Sequence, residues 1–130
     1  MTDTTQNDPW VVYLIVRESL GMSIGKTAAQ AGHAVEYICR ECLGTTDADK
    51  EWERQATFKS WTTEGNSRKV VLRADEKEWV KLKEEFKDNC VIVIDFGFTE
   101  LAPHTETVIG LFPLLKSQAP KLIKRLQALK

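Results

Sequence analysis

The chain has 130 residues, enough for one domain built around one real core and too few for two. Hydrophobic residues make up 42% and charged residues 28%, an ordinary globular composition, and no apolar run approaches the length of a membrane span. Eighteen Lys and Arg against nineteen Asp and Glu leave a net charge of −1, so no global field marks the chain as a nucleic-acid binder.

Residues 1–9 are polar and acidic and read as a flexible tail, without the basic start and apolar centre of a secretion signal. Residues 10–17 (WVVYLIVR) are nearly continuously apolar and rich in β-branched side chains, as expected of a strand buried on both faces. Ser23 is suited to cap a helix running to about Leu43, with Ala28, Ala31, Val35, Ile38 and Cys42 turned to the core. Residues 44–49 read as a turn, and 50–64 as a second helix stopped by Gly65 in the left-handed conformation. Residues 69–74 form a strand. Asp75 and Glu78 then make a capping box for a helix that ends near Asp88, with Trp79, Leu82 and Phe86 on one face. Residues 90–95 (CVIVID) are another buried strand, 96–106 a loop and 107–112 a last strand. Pro120 opens a closing helix with Leu122, Ile123, Leu126 and Leu129 inward. Lys116, Lys121, Lys124, Arg125 and Lys130 stand there without an acid, a short basic face whose simplest reading is solvated surface. This order predicts an α/β single domain over residues 10–130, with a small mixed sheet of about four strands covered by helices on both faces.

Three chemical motifs tempt and fail. Gly21-Met22-Ser23-Ile24-Gly25-Lys26-Thr27 nearly spells a phosphate-binding loop, and Val91-Ile92-Val93-Ile94-Asp95 resembles the strand whose Asp helps hold magnesium. Such a loop needs four residues between its first Gly and the Gly-Lys pair. Here there are three, and Leu20 stands at the correctly spaced position, where glycine would permit the turn. Ser23-x-x-Lys26 matches one element of the penicillin-recognising hydrolases, but its companion elements are absent. Cys39-Arg40-Glu41-Cys42 falls near a helix C-terminus, where the dipole disfavours a thiolate, and with only His33 and Cys90 to spare it lacks partners for zinc. Cys39, Cys42 and Cys90 are an odd, sparse set of thiols, which suits the cytoplasm.

A more coherent set remains. Lys26, Gln30 and His33 form one polar stripe on the first helix, opening at the carboxyl end of a buried strand, where α/β domains place their ligand sites. Asp95 ends another apolar strand and is followed by Gly97, Thr99, Pro103, Thr105 and Thr107, an unusual gathering of hydroxyls around one acid.

Y-L-I-V-R, M-S-x-G-K-x-A-A-Q-x-x-H-A, Trp61 before a Gly and K-V-V-L, and D-x-G-x-T-E-L-A-P-x-T-x-T-V-x-G together resemble the archaeal and eukaryotic type of peptidyl-tRNA hydrolase. The likeness runs from Tyr13 to about Pro113. It implies a mixed-sheet α/β domain, often dimeric, that hydrolyses peptidyl-tRNA without a required cofactor or metal. Carried over by motif, the catalytic residues would be Lys26, Asp95, Thr99 and Thr107, with Gln30, His33, Arg17, Lys69 and Thr105 about the substrate. Three departures stand out: Phe96 where the family usually has Ala, His104 where it usually has Gly, and a less basic link through Glu18, Ser19 and Gly21. A Gly at the place of His104 suggests a backbone of positive φ or a close approach, so both enlarged side chains are expected to crowd one loop. Two rival readings are a non-catalytic member of the fold that binds RNA or protein, and a phosphate-binding nucleotide hydrolase.

Overall fold

A computed structural model describes residues 7–44, 48–97 and 100–130, with only the backbone described for 48–51. The sheet is built around β1 (Trp10–Arg17), whose residues 11–16 are all buried because its two faces meet two cores. Val11, Tyr13 and Ile15 pack with Trp79, Leu82 and Ile123, while Val12, Leu14 and Val16 pack with Ala34, Ile38, Cys42 and Trp61. Each such aliphatic side chain contributes about 1.5–3 kcal/mol by leaving water.

From β1 the chain passes through one 3-10 turn into α1 (Ile24–Gly44) and then α2 (Ala48–Thr63). It returns in β2 (Lys69–Ala74), parallel to β1 from Val12↔Lys69 to Arg17↔Ala74. Parallel neighbours need such a long crossover. α3 (Glu76–Phe86), opened by the Asp75–Glu78 capping box, covers the opposite face and leads to β3 (Cys90–Asp95) and β4 (Thr105–Leu111), which pair antiparallel. β4 also pairs antiparallel with β1, giving the order β3-β4-β1-β2-β6 once the last strand is included. The expected mixed α/β sheet with helices on both faces is present. Among the described residues no helix is long and apolar enough to cross a membrane.

Among the described residues the sheet has six strands rather than about four. The two extra ones, β5 (Leu114–Leu115) and β6 (Gln127–Ala128), are two residues each, too short to show a period. β6 also shortens the closing helix to α4 (Lys121–Arg125). The chain extends after Arg125 so that Leu72 pairs with Ala128 and the Leu129 N–H reaches the Val71 carbonyl at 3.0 Å. Ile123 and Leu126 are buried as expected, Leu122 and Leu129 partly so.

Three local expectations change. The buried line of α1 is Gln30, Ala34, Ile38 and Cys42, whereas Ala28 is exposed and Ala31 and Val35 are half-buried. Gly65 is not left-handed; Asn66 and Ser67 take positive φ instead, at 51° and 56°. Glycine is required at 65 for space, because a Cβ there would lie 2.7 Å from the Trp61 carbonyl oxygen and 2.9 Å from the Trp10 Cβ. The last long strand begins at Thr105, two residues early. At the chain's start, the Pro9 carbonyl accepts the Lys116 N–H at 2.9 Å, and Asp8 accepts from the backbone and hydroxyl of Ser117.

Candidate active site

Arg17, Asp95 and Thr105 mark one end of the sheet: β1 and β3 finish there and β4 starts there, directly opposite Asp95. The first turns of α1 lie over that end. Ser23 caps the helix as expected, its hydroxyl accepting the Lys26 N–H at 3.2 Å, and this fixes where the Lys26 side chain leaves the helix.

Lys26 Nζ donates to Asp95 Oδ1 at 2.5 Å, and the two side chains are only 11% and 7% exposed. The other carboxylate oxygen accepts the Gly97 N–H at 2.9 Å. The Asp95 backbone carbonyl accepts the His104 N–H at 2.7 Å, so both loop strands hang on this residue. The Lys26 hydrogen bond holds the Asp95 carboxyl below its usual range; burial opposes this, while the Gly97 N–H and the charges of Lys26 and His33 assist. Asp95 is therefore an anion at neutral pH. Gly97 is needed here: its φ is 81°, and a Cβ would stand 2.8 Å from the Pro103 nitrogen.

One helical turn beyond Lys26, Gln30 is buried and accepts the Thr107 hydroxyl at 2.6 Å; the Val93 carbonyl lies 3.3 Å from the same hydroxyl. The polar stripe of α1 is thus half interior. Lys26 and Gln30 continue the buried line of Ala34 and Ile38 and meet polar partners at the sheet's end.

The other expected residues divide. His33 is exposed and stacks on Tyr37, with ring centroids 6.4 Å apart. The Thr105 hydroxyl donates to the Ala102 carbonyl at 2.7 Å and shapes the loop. Arg17 reaches the same end of the sheet but grips Glu76 with two nitrogens, at 2.9 and 2.6 Å, and lies over Trp79 on the opposite face from α1. Lys69 is not with the others. It pairs in register with Val12 at the far end of the sheet, where its ammonium sits over Trp61. Thr99 lies outside the described residues.

Two features escaped the sequence reading. Glu100 accepts both the backbone N–H and the hydroxyl of Ser23, at 2.9 and 2.6 Å, clasping the loop after β3 to the start of α1. A carboxylate is favoured at that helix end, but a partner 77 residues away leaves no local signal. The second is the ring contact within the crowding that was expected: Phe96, 60% exposed, meets His104 edge to face at 6.2 Å. His104 takes the positive φ expected of its position, 64°.

Residues 10–129 match the family described as Peptidyl-tRNA hydrolase PTH2. The chain is 38% identical over 104 residues to a peptidyl-tRNA hydrolase of Pyrobaculum aerophilum, covering 77% of this chain and 81% of that one. It is 29% identical over 119 residues to that of Methanocaldococcus jannaschii, covering 89% and 96%. A probable peptidyl-tRNA hydrolase 2 of Caenorhabditis elegans is 30% identical over 102 residues, 76% of this chain and 30% of the longer relative. The chain belongs to the peptidyl-tRNA hydrolase PTH2 family. Membership accounts for the false leads. In this hydrolase Gly25 and Lys26 are the second and third residues of α1, where Lys26 turns to Asp95. Burial pushes the Cys42 thiol up to about 11 and raises those of Cys39 and Cys90, as expected of packed thiols. Among the described residues no group of three His, Cys, Asp or Glu side chains could hold a metal ion.

Proposed function

We propose that this peptidyl-tRNA hydrolase cleaves the ester between peptide and tRNA at the Lys26–Asp95 pair, in the cytoplasm, releasing free tRNA for reuse. Water adds to the ester carbonyl, the bond from that carbon to the ribose oxygen breaks, and the proton lost by water ends on the departing hydroxyl. Such a reaction needs an oriented water and a cation near the oxygen that becomes negative. Asp95, held as an anion, accepts a hydrogen bond from the water and orients it. Its depressed proton affinity makes it a weak base, so orientation is the larger part of its role. Lys26 faces the developing oxyanion or a terminal tRNA phosphate. Thr107 and Thr99 hold the water, and Gln30 fixes the Thr107 hydroxyl. His33, Thr105 and Arg17 border the substrate, Arg17 being held in place by Glu76 and the Glu106 carbonyl. Lys69 is left out of this reading, because it lies at the far end of the sheet.

One observation carries the proposal. Among the described ion pairs, Lys26–Asp95 has both partners nearly buried, and buried pairs add little to stability because desolvation offsets their attraction. A fold keeps such a pair for chemistry more readily than for strength. Peptidyl-tRNA release should proceed over multiple turnovers without added nucleotide. Lys26→Ala and Asp95→Ala should each fold yet lose about two or more orders of magnitude in kcat/KM. A wild-type chain no more active than the double variant would sink the catalytic assignment and leave a binding module.

A further inference from the structure

Phe96 and His104 are both fastened to Asp95. Phe96 follows it in the chain, with Cα atoms about 3.8 Å apart as in any trans peptide, and the His104 N–H is bonded to the Asp95 carbonyl at 2.7 Å. Both residues are therefore tied through the backbone to the residue that carries the carboxylate. Two features of the pair work against stability. Phe96 leaves 60% of its surface in water, and His104 holds a left-handed backbone, φ 64°, that glycine would adopt without strain. The two rings meet each other edge to face at 6.2 Å, and His104 is itself exposed. What results is a small exposed aromatic pair on the loop that leaves Asp95.

We infer that Phe96 and His104 form a stacking ledge for the terminal adenine of the tRNA. The inference rests on Asp95 being the carboxylate that handles the ester. The scissile ester is carried on the ribose of that terminal nucleoside, so its base lies one sugar away from the bond being cut. The peptide changes from one substrate to the next, whereas the adenine is common to all of them, and a rigid flat partner suits the constant part. Bases stack on aromatic side chains through their π-faces, a recognition that needs no hydrogen-bond pattern.

The test pairs two substrates that carry the same N-acetylaminoacyl group, one esterified to adenosine and one to a simple alcohol with no base. In Phe96→Ala/His104→Gly the ratio of kcat/KM for the adenosine ester to that for the base-free ester should fall about ten-fold, mostly through KM, the scale of one lost stacking contact. Phe96→Trp, which keeps a ring, should hold the ratio near the parent value and shows that the loss is not misfolding. An unchanged ratio in the double variant overturns the inference. So does a loss that follows the size of the peptide rather than the presence of the base, which would make the ledge a peptide contact. Binding of adenosine 5′-monophosphate, followed by the ring-proton resonances of His104, separates this from the functional proposal. A chain inactive on peptidyl-tRNA that still shifts those resonances keeps the ledge and loses the activity. A chain that hydrolyses peptidyl-tRNA without shifting them does the reverse.

Discussion

Arg17–Glu76 and Lys26–Asp95 are both short ion pairs at one end of the sheet, and they differ in water. Glu76 is half exposed, and the Arg17 guanidinium, with help from the Ser19 hydroxyl, brings its carboxyl down to about 2 from 4.5. A folded-state value below the unfolded one means that its stabilisation is present above pH 4.5 and fades as pH falls toward 2. Solvent screening keeps it small, below about 1 kcal/mol. Glu76→Gln should therefore be slightly less stable than wild type at pH 7 and indistinguishable from it near pH 2, by urea unfolding at both values. Asp95 is lowered in the same direction, so its contribution disappears as pH falls below 3.8, and its anionic role in hydrolysis should persist at all milder pH. Asp95 was legible in the sequence because it ends an apolar strand, and Lys26 because it opens a polar stripe on the first helix. Glu100 was not, since nothing near it in the chain announces Ser23. Lys69 shows a related limit: a motif gives the residue, but strand register decides which end of the sheet receives it.

Elements with strong local signals stand where they were expected: β1 and β3 from unbroken apolar runs, α3 from its capping box, α1 from Ser23 and its helical spacing. The misses are elements made by tertiary pairing. β5 and β6 are stretches of backbone that find an open strand edge, and no side-chain pattern in two residues reveals that. The end of α2 shows how a correct residue can carry the wrong reason. Gly65 terminates the helix by letting Trp10 and the Trp61 carbonyl come close, while the left-handed turn falls to Asn66 and Ser67. Gly65→Ala should thus cost about 1–3 kcal/mol, the range for overpacking. A left-handed glycine would instead have made the cost one of backbone strain. Chemical denaturation decides the magnitude, and a neutral result would show that Trp10 can move aside.

Across the whole molecule the basic groups are divided. Arg17, Arg73 and Arg125 lie toward the Asp95 end of the sheet, and Arg68 and Lys69 toward the other. Several are already matched by acids, as Arg17 is by Glu76 and Arg73 by Glu18. With a net charge of −1 the protein has little long-range pull on tRNA. Binding should weaken with added salt along a shallow slope, reflecting only a few displaced counterions. Affinity unchanged between low and physiological salt would mean that phosphates are not what it holds. Assembly of the site has a further consequence, one of timing. Lys26 precedes Asp95 by 69 residues, and the strand that holds Thr107 beside Gln30 comes later still. A growing protein is itself a peptide esterified to tRNA, the same kind of bond that this family cuts. Because domains emerge from synthesis with the N-terminal part first, Lys26 is made long before Asp95 and Thr107, which complete the site as proposed. On the proposed assignment, a nascent chain would hold no complete site for cutting its own tether until synthesis had passed Thr107.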